Sequence, residues 1–588
     1  MQGVPGADAT IEPGPRGLPA SESSRPTLVG DRWMAVTGHP LTVQVAGRVL
    51  EAGGNAVDAG VAAGLASNVV QADMCNLAGI APILVRPAGG RDVLSVAGVG
   101  RWSSTATLDA YLARHGTAMA PGGAASVVPG ALAGWLSALE HFGTWSFAEV
   151  VAPAVELATD GFVLDATVAS ALDLFAWVYE RWPSSAAVYC PDGRRMAPGD
   201  RLVQADLGAL LAGLADAEHD AGVHGATGAA GRRRAGLDAV RRAFYEGETA
   251  RAMAAFVTDQ GGFLTVEDLA AFRAEVAPAP ARRFPSFGGV TVHVTPPQWS
   301  QGPALLQTLA VLERFDLAGA GHNTADHLHL LFEAVKLAFS DRERYYGDAG
   351  PVDLEHLLSD AHADELASSI RPDAALGDLP TLRHRADDVA STTHVAVVDG
   401  EGAAFACAPS DTLAMAPVVP GLGVVVSGRG VQSRTATGHP AVLGPGRRPR
   451  VTPAPAIALD DDGRVWPITC PGGDVIVQAM AQAFLNVTVF AMTEQQAVEA
   501  PRGVSLAFPD SFHPHTHHRG RVVVEERVPG AVLRELLARG HDVRRWPPYE
   551  FEAGSVGMIR QHPPAGAGAR PTLRAGADPR RAAYALGR

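Results

Sequence analysis

Cysteine is scarce in this sequence, and long apolar runs are absent from it. Four cysteines stand among 588 residues, far apart and without C-x-x-C or C-x-x-H spacing: Cys75, Cys190, Cys407 and Cys470. This spacing supports neither a zinc site nor a dense disulfide framework. No apolar stretch approaches the roughly 18 residues that a membrane-spanning helix needs. We therefore expect no membrane partner.

An excess of positive charge and a secretory signal are missing as well. Acidic residues outnumber basic ones by 62 to 48, a net charge of −14, so there is no overall electrostatic case for a nucleic-acid partner. The short basic runs at 232–234 and 447–450 are interpreted as solvated loops. The N-terminus has no basic segment followed by an apolar one, as a secretory signal would. We predict a disordered leader over residues 1–28 and a cytoplasmic location.

The rest of the chain interleaves helical and strand patterns. Near its start, Gly53-Gly54-Asn55 is predicted to break one helix before the next begins. Helical periodicity covers 130–175, with a proline-containing join at 151–153, and a long helix is predicted over 324–345. The segment 288–297 alternates as a strand, and the Gly/Ala-rich, charged stretch 216–236 is interpreted as a surface insertion. Helices that alternate with apolar strands over this length predict a layered α/β protein.

The segment ASTTHVAVVD places two threonines at the mouth of an apolar strand pattern. A threonine hydroxyl is a poor nucleophile unless a base takes its proton, and a threonine at a chain's N-terminus can use its own α-amino group as that base. An internal threonine reaches that state if its hydroxyl attacks the preceding carbonyl and the resulting ester is hydrolysed. Thr392, preceded by Ser391, could undergo this reaction. On strand statistics alone, however, a Thr-Thr pair reflects β-propensity.

A second segment, ITCPGGDV, sits between a predicted strand and a predicted helix. Two successive glycines, Gly472 and Gly473, let backbone N–H groups point at a ligand, and the N-terminus of the following helix is electropositive. Such a pair suits an oxyanion. Taken alone, Pro-Gly-Gly is also an ordinary turn.

Eight ordered segments resemble the γ-glutamyltranspeptidase-like branch of the N-terminal nucleophile hydrolases. The resemblance covers nearly the whole chain after about residue 30, which makes it far more specific than any single motif. The segments are 53–63 (GGNAVDAGVAA), 128–162, 244–272, 296–307 (PPQWSQGPALLQ), 333–348 (EAVKLAFSDRERYYGD), 391–402 (STTHVAVVDGEG), 471–475 (PGGDV) and 493–502 (TEQQAVEAPR).

The resemblance implies a four-layer αββα sandwich made as an inactive precursor. It implies self-cleavage between Ser391 and Thr392, into a large part, residues 29–391 after the leader, and a small part, residues 392–588. Thr392 would then be the nucleophile and its freed amine the general base, with Gly472 and Gly473 as the oxyanion pair. The two fragments would stay associated, with a heterotetramer as one arrangement. No cofactor is implied.

The family also implies where substrate would bind, and here the chain departs from the pattern. Arg101 stands at the place of the arginine that pairs with the substrate carboxylate, a role suited to its forked donors. The remaining recognition positions are altered: Ser410 and Thr412 replace a threonine and an asparagine, Gln432 replaces the aspartate that holds the substrate's α-amino group, and Val451-Thr452 replace a serine pair. Because a buried ammonium without a carboxylate partner is costly, we expect an ordinary γ-glutamyl group to be disfavoured.

Two histidine features are interpreted without a catalytic or metal role. His394 is taken as structural, because this mechanism has no use for a histidine base. The four histidines between residues 513 and 518 have no helical i, i+4 spacing, and Pro514 favours a loop, so we predict a solvent-exposed turn and no metal site.

We therefore predict a threonine-nucleophile hydrolase or acyltransferase that cleaves an amide-type bond of a small, carboxylate-bearing substrate, and that is not efficient on glutathione. One alternative is a relative redirected to specialised metabolism, including C–C bond cleavage, on the same scaffold. The other, of a different class, is a catalytically silent binding or scaffold protein.

Overall fold

The computed structural model describes residues 23–119, 121–224, 228–377, 392–564, 566 and 568–588. Ser391, and with it the predicted cleavage bond, lies outside the described residues, as do residues 1–22 of the predicted leader. The predicted boundary at residue 28 falls within the folded body. The Ser24 N–H donates to the Glu499 carboxylate at 2.6 Å, and Arg25 donates to the Ala583 carbonyl at 2.8 Å.

Helices and strands alternate along the described chain. The helices are α1 (Pro40–Glu51), α2 (Ala56–Val70), α3 (Leu108–His115), α4 (Ala131–Phe142), α5 (Phe147–Thr159), α6 (Ala166–Leu174), α7 (Ala176–Arg181), α8 (Pro183–Tyr189), α9 (Ala205–His224), α10 (Ala229–Tyr245), α11 (Gly247–Asp259), α12 (Val266–Ala271), α13 (Gly302–Leu312), α14 (Leu317–Ala320), α15 (Ala325–Tyr345), α16 (Leu354–Leu357), α17 (Asp360–Ser368), α18 (Ile476–Thr488), α19 (Glu494–Glu499) and α20 (Gly530–Ala538). The strands are β1 (Leu28–Gly30), β2 (Met34–Thr37), β3 (Ala81–Arg86), β4 (Leu94–Gly98), β5 (Phe162–Val163), β6 (Arg201–Leu202), β7 (Val276–Pro278), β8 (Ala281–Phe284), β9 (Val290–Val294), β10 (Val395–Val398), β11 (Ala404–Cys407), β12 (Val418–Val419), β13 (Val424–Val425), β14 (Ala456–Leu459), β15 (Val465–Thr469), β16 (Gly503–Ser505), β17 (Arg521–Glu525), β18 (Asp542–Trp546), β19 (Gly557–His562), β20 (Thr572–Ala577) and β21 (Tyr584–Gly587).

Two seven-stranded sheets form the centre of the molecule. One has the strand order β1-β20-β19-β15-β14-β9-β8 and the other the order β21-β2-β10-β11-β3-β4-β7, with antiparallel neighbours throughout. Strand β10 shows how the layers are built. Val395 and Val397 pack in a core shared with helices such as α2, whereas Ala396 and Val398 pack in a core shared with the other sheet. Because successive strand residues point to opposite faces, each sheet has a helical layer outside and a sheet inside. The predicted αββα sandwich is confirmed.

The predicted break between the first two helices is present. Helix α1 ends at Glu51 and α2 starts at Ala56, with Asn55 as its N-cap. The Asn55 side chain accepts from the N–H of Asp58, and the Asp58 carboxylate accepts from the Asn55 N–H in return. This capping box satisfies donors that the helix itself leaves unpaired.

One local prediction was wrong. The breaks in 130–175 lie between α4 and α5 and between α5 and α6, and Pro153 sits inside α5, because the Ser146–Glu149 capping box starts that helix well before the proline. The stretch 216–236 lies in α9 and α10, apart from residue 228 and from residues 225–227, which are outside the described residues. Most of its described side chains are exposed or partly exposed, in line with the predicted surface position. Its Glu218 is buried and accepts from two N–H groups at the start of α5.

The predicted strand at 288–297 appears as β9 and the predicted long helix at 324–345 as α15. Among the described helices, none combines the length and apolarity needed to cross a membrane.

Candidate active site

Thr392 lies at the end of the ladder that joins β10 to β11. Val395 pairs with Cys407 in that ladder, and the same antiparallel register continues to a bridge between Thr392 and Ser410. Thr392 is buried, and its Oγ1 lies 2.9 Å from Ser410 Oγ. The regular strand begins at Val395, three residues after Thr392. The ladder is interrupted there because Pro409, which lies opposite Thr393 in the segment after β11, has no N–H to donate. The pairing register therefore sets which side chain meets the threonine hydroxyl.

The two residues after Thr392 are used to hold the strand start in place. Thr393 Oγ1 donates to Gln71 Oε1 at 2.7 Å. His394 Nδ1 lies 3.1 Å from Thr469 Oγ1, and burial lowers the pKa of His394 to about 3. A neutral, buried imidazole bonded to a hydroxyl fits the structural role predicted for it.

The glycine pair forms a tight turn ahead of α18. Gly472 and Gly473 have φ values of 133° and 59°, a left-handed region that favours glycine. The Gly473 carbonyl accepts from Gln301 Nε2 at 3.1 Å, and the same nitrogen donates to the Thr452 carbonyl at 3.0 Å. Gln301 thus ties the glycine turn to one of the predicted recognition positions.

Arg581 connects Thr392 with the region of the glycine turn, and the sequence analysis did not single it out. Its Nη1 lies 3.5 Å from the Thr392 carbonyl oxygen, and its Nε donates to the Phe551 carbonyl at 3.2 Å. The turn that begins at Phe551 leads to Gly554. Gly554 packs closely against Gly472, since a Cβ added to Gly472 would lie 3.2 Å from the Gly554 Cα. Thr392, Arg581, the 551–554 turn and the glycine pair are therefore neighbours.

Three of the predicted recognition residues join Thr392 in one buried hydrogen-bond chain. Arg429 Nη2 donates to Ser410 Oγ, and its Nη1 donates to Gln432 Oε1 at 3.0 Å. Gln432 Nε2 in turn donates to Thr452 Oγ1 at 3.3 Å. Ser410, Arg429, Gln432 and Thr452 are each 0% exposed. The altered positions of the family pattern thus contact each other through an arginine that sequence reasoning missed.

The other three predicted recognition residues lie outside this chain of contacts. Arg101 is partly exposed and donates to Glu275 at 2.7 Å, to Asp348 at 3.5 Å and to the Gly446 carbonyl at 2.8 Å. Thr412 Oγ1 accepts from the Ala414 N–H, which is a local turn contact. Val451 is packed in a small apolar cluster with residues such as Ile80. None of these described contacts reaches Thr392.

A buried ion pair supports the chain. Arg429 Nε donates to Asp411 Oδ1 at 2.7 Å, and both side chains are 0% exposed. Asp411 has a φ of 90° and also accepts from Ser427 Oγ at 2.6 Å. Burial raises the pKa of Asp411, an effect that Arg429 partly offsets, and burial lowers the pKa of Arg429. Because Asp411 and Arg429 lie 18 residues apart, no local sequence pattern predicts that they form an ion pair.

A second cluster of buried charges surrounds Glu343. Its carboxylate accepts from Arg434 at 2.6 Å and from Arg450 at 2.5 Å, and it forms an ion pair with Arg342 at 3.1 Å. Burial alone would raise the pKa of Glu343, but the three guanidinium groups hold it well below its usual range. Arg342 also pairs with Asp474, next to the glycine turn. The interpretation of 447–450 as a solvated loop was wrong in part, since Arg450 is buried as a partner of Glu343.

The four histidines between residues 513 and 518 were predicted to form a solvent-exposed turn, and this prediction was wrong. The His513 N–H donates to the Val431 carbonyl at 2.7 Å, and the His515 ring lies within hydrogen-bond distance of the Ser433 carbonyl. His517 is only 8% exposed. The loop is therefore partly buried, because it packs along the segment that carries Gln432.

One cluster of metal-type ligands exists among the described residues: His329, Glu333 and His541. Lys336 Nζ donates to both Glu333 oxygens, at 2.9 and 3.2 Å, and His329 Nδ1 lies 2.9 Å from His541 Nε2. The lysine ammonium supplies the positive charge that Glu333 needs. The Leu376 carbonyl accepts from Lys336 Nζ, and the Leu376 N–H donates to the Glu333 carboxylate. The cluster therefore holds the chain in place just before residue 378.

Comparisons with known proteins identify relatives over nearly the whole chain. The family model described as Gamma-glutamyltranspeptidase matches residues 42–587. The Acylase ACY 1 proenzyme of Pseudomonas sp. (strain SE83) is 31% identical over 91% of this chain and 90% of its own length. The Glutathione hydrolase proenzyme of Escherichia coli (strain K12) is 30% identical over 85% of this chain and 84% of its own.

Solved structures agree with the fold. A structure named LmbA2991HD is 33% identical, covers 96% of this chain and 100% of its own, and has a TM-score of 0.87. The cephalosporin acylase from Bacillus halodurans is 26% identical. The match covers 98% of this chain and 99% of the acylase chain, with a TM-score of 0.82.

The Glu343 cluster generates a stability prediction. Glu343→Gln should destabilise the protein by about 3–5 kcal/mol, because it leaves buried guanidinium groups without their counter-charge. Urea unfolding followed by circular dichroism measures the loss. Asp461→Asn, which breaks an exposed pair with Arg283, is the matched control and should cost at most about 1 kcal/mol. Equal effects of the two variants would contradict the account.

Buried histidines generate a pH prediction. Burial lowers the pKa of His327 to about 4, so between that value and its unfolded value of about 6.5 only the unfolded chain binds the proton. Protonation of His327 in the unfolded chain therefore lowers the free energy of unfolding as pH falls below about 6.5. The loss is up to about 1.4 kcal/mol per pH unit. In His327→Asn, the amide oxygen can replace Nδ1 as acceptor for the Asn323 N–H.

Urea midpoints from pH 7.5 to 5 should therefore fall more steeply for the native sequence than for His327→Asn. Asp73, whose pKa burial raises to about 7, acts in the opposite direction, but it is common to both proteins and cancels in the comparison. Parallel curves would show that His327 does not titrate in this way.

Proposed function

The chain belongs to the gamma-glutamyltranspeptidase family, and from that premise we propose that it is a self-processing threonine hydrolase of small, carboxylate-bearing amides. The observation that carries the proposal is Thr392 itself. Its buried hydroxyl lies 2.9 Å from Ser410 Oγ, beside Arg581 and the glycine turn. A hydroxyl held by a second hydroxyl, in the same neighbourhood as a glycine turn, suits acyl transfer.

Maturation starts from the intact chain. Thr392 Oγ attacks the carbonyl carbon of residue 391 while its proton leaves, and the C–N bond of the peptide breaks as the nitrogen is protonated. The product is an ester between Ser391 and Thr392 Oγ, with a free Thr392 amine. Water then hydrolyses the ester and leaves a new carboxylate at Ser391 and a free Thr392 hydroxyl.

Turnover uses the freed amine as the base. The amine takes the proton from Thr392 Oγ as the oxygen attacks the amide carbonyl of the substrate, and it passes that proton to the departing nitrogen. The N–H groups of Gly472 and Gly473 stabilise the negative charge that develops on the carbonyl oxygen. Water, or an amine acceptor, then releases the acyl group from Thr392 by the reverse sequence.

The recognition positions support a substrate other than glutathione. Relatives named as an acylase and as a glutathione hydrolase are almost equally similar to this chain, so the names alone do not decide. Gln432 and Ser410, however, already bond to Arg429 and offer no carboxylate for a substrate ammonium. We further propose that the enzyme acts in the cytoplasm and that its two fragments remain associated, with a heterotetramer as one arrangement.

Self-cleavage at residue 392 is the first test. Purified protein should resolve into fragments of 391 and 197 residues, and Thr392→Ala should stay intact because it lacks the attacking hydroxyl. Intact-mass spectrometry measures both. Thr393→Ala is the matched control: its hydroxyl bonds to Gln71, so its loss should leave cleavage in place. A native chain that remains whole, or a Thr392→Ala chain that still splits, would contradict the proposal.

The composition of the chain offers a clean readout for the new amine. Lys336 is the only lysine in the sequence, so the fragment 392–588 contains none. An amine-reactive label on that fragment can therefore sit only on the α-amine of Thr392. One label per small fragment is the expected result, and an unlabelled small fragment would show that the amine is not free.

A further inference from the structure

A groove of about 510 Å³ lies between the end of α15 and the segment 437–447. Its basic lining residues are Arg344, His439 and Arg447, and none of the described residues that line it is acidic. The chain as a whole, in contrast, carries 62 acidic and 48 basic residues. The composition of the groove is therefore the reverse of the composition of the protein.

Arg344 has no carboxylate partner within the described part of the chain. Its side chain is exposed in the last turn of α15, and its guanidinium carbon lies 5.2 Å from the centre of the Tyr345 ring. The helix dipole favours a cation at that end, but it supplies no partner for the donors of the guanidinium. Because Tyr345 also lines the groove, an unpaired cation and an aromatic ring are offered to a ligand together.

Arg447 is the second unpaired cation of the groove. In the same basic run, Arg448 and Arg450 form ion pairs with glutamates. The described hydrogen bond of the Arg447 side chain is a long one, 3.5 Å, to a backbone carbonyl of its own loop. A Cβ on Gly444 would lie 3.2 Å from Arg447 Nε, so the glycine leaves room for the guanidinium to lie across the turn.

His439 completes the basic lining without adding charge. Its Nδ1 accepts from the Ala441 N–H at 3.0 Å, and its Nε2 lies 3.3 Å from the Glu343 carboxylate. Burial lowers the pKa of His439, so the ring is neutral at pH 7.5. The positive charge of the groove therefore comes from the guanidinium groups of Arg344 and Arg447.

The other walls of the groove are largely apolar. Apart from Tyr345, the large apolar residues that line it are Leu108, Pro351, Pro440, Val442 and Leu443. Sites for small molecules have volumes of roughly 300–1,000 Å³ and combine apolar walls with a few polar groups. A phosphate group has enough terminal oxygens to accept from two guanidinium groups at once.

We propose that this groove binds a small organic molecule that carries a phosphate group. The phosphate lies at Arg344 and Arg447, and the organic part lies against the apolar walls. None of the groove residues belongs to the chain of contacts around Thr392, but the segment 437–447 runs between Gln432 and Thr452. A bound molecule therefore touches the part of the chain that joins two predicted recognition positions. The inference does not depend on the proposed function.

Isothermal titration calorimetry with phenyl phosphate, inorganic phosphate and phenol, in HEPES buffer at pH 7.5, tests the inference. Phenyl phosphate offers both the charge and an apolar ring, whereas each of the other two probes offers one of them. We expect one phenyl phosphate per chain, bound at least about tenfold more tightly than either other probe, because only this probe uses both parts of the groove. No binding of phenyl phosphate, or equally tight binding of inorganic phosphate, would overturn the inference.

Two variants locate the site. Arg344→Gln and Arg447→Gln should each weaken the binding of phenyl phosphate by about tenfold or more, because each removes a charge-assisted hydrogen bond. Both variants should keep the fold, since neither guanidinium pairs with a described carboxylate. Arg283→Gln is the matched control: it removes an exposed guanidinium that pairs with Asp461, and it should leave the affinity unchanged.

Unchanged affinity in both groove variants would show that the phosphate binds elsewhere and would overturn the inference. An equal loss in Arg283→Gln would attribute the binding to the general surface charge and would contradict the inference as well. Circular dichroism melting of each variant checks that the fold is retained.

Discussion

The structure around Thr392 depends on the register in which β10 pairs with β11. That register places Ser410 opposite Thr392, and it also places Val395 and Val397 against the helices and Ala396 and Val398 against the other sheet. A slip by one residue would exchange these faces and would break the buried contact between the two hydroxyls. The hydrophobic pattern of one strand therefore fixes both the layering of the sandwich and the position of Thr392.

Beyond the ladder, the site is made of loops, and buried charges hold them together. The Arg429–Asp411 pair joins the loop after β11 to the segment that carries Gln432. The Glu343 cluster joins α15 to the loop that ends at Arg450, and Arg342 carries the link to Asp474 beside the glycine turn. In a medium of low dielectric such contacts are strong when every partner is satisfied and costly when one is missing. Removing one partner from either cluster should therefore disturb the geometry of the site and cost stability together.

Local pattern was enough to predict several of the helices and strands, but not the contacts between them. The alternation in 288–297 and the break before Asn55 depend on neighbouring residues, and both predictions were confirmed. Pro153 was misread because a capping box upstream had already started its helix. Arg429, Arg581 and Glu343 act through partners far away in sequence, and a single sequence holds no record of such pairs. Arg450 looked like a solvated charge for the same reason.

That Thr392 carries the acyl group is the central claim, and intact-mass spectrometry of the protein quenched during hydrolysis of γ-glutamyl-p-nitroanilide or glutaryl-p-nitroanilide tests it most directly. We predict that one acyl group is found on the fragment 392–588 and that peptide mapping places it on Thr392. An acyl group on any other residue, or hydrolysis by a chain that carries none and remains uncleaved, would contradict the account.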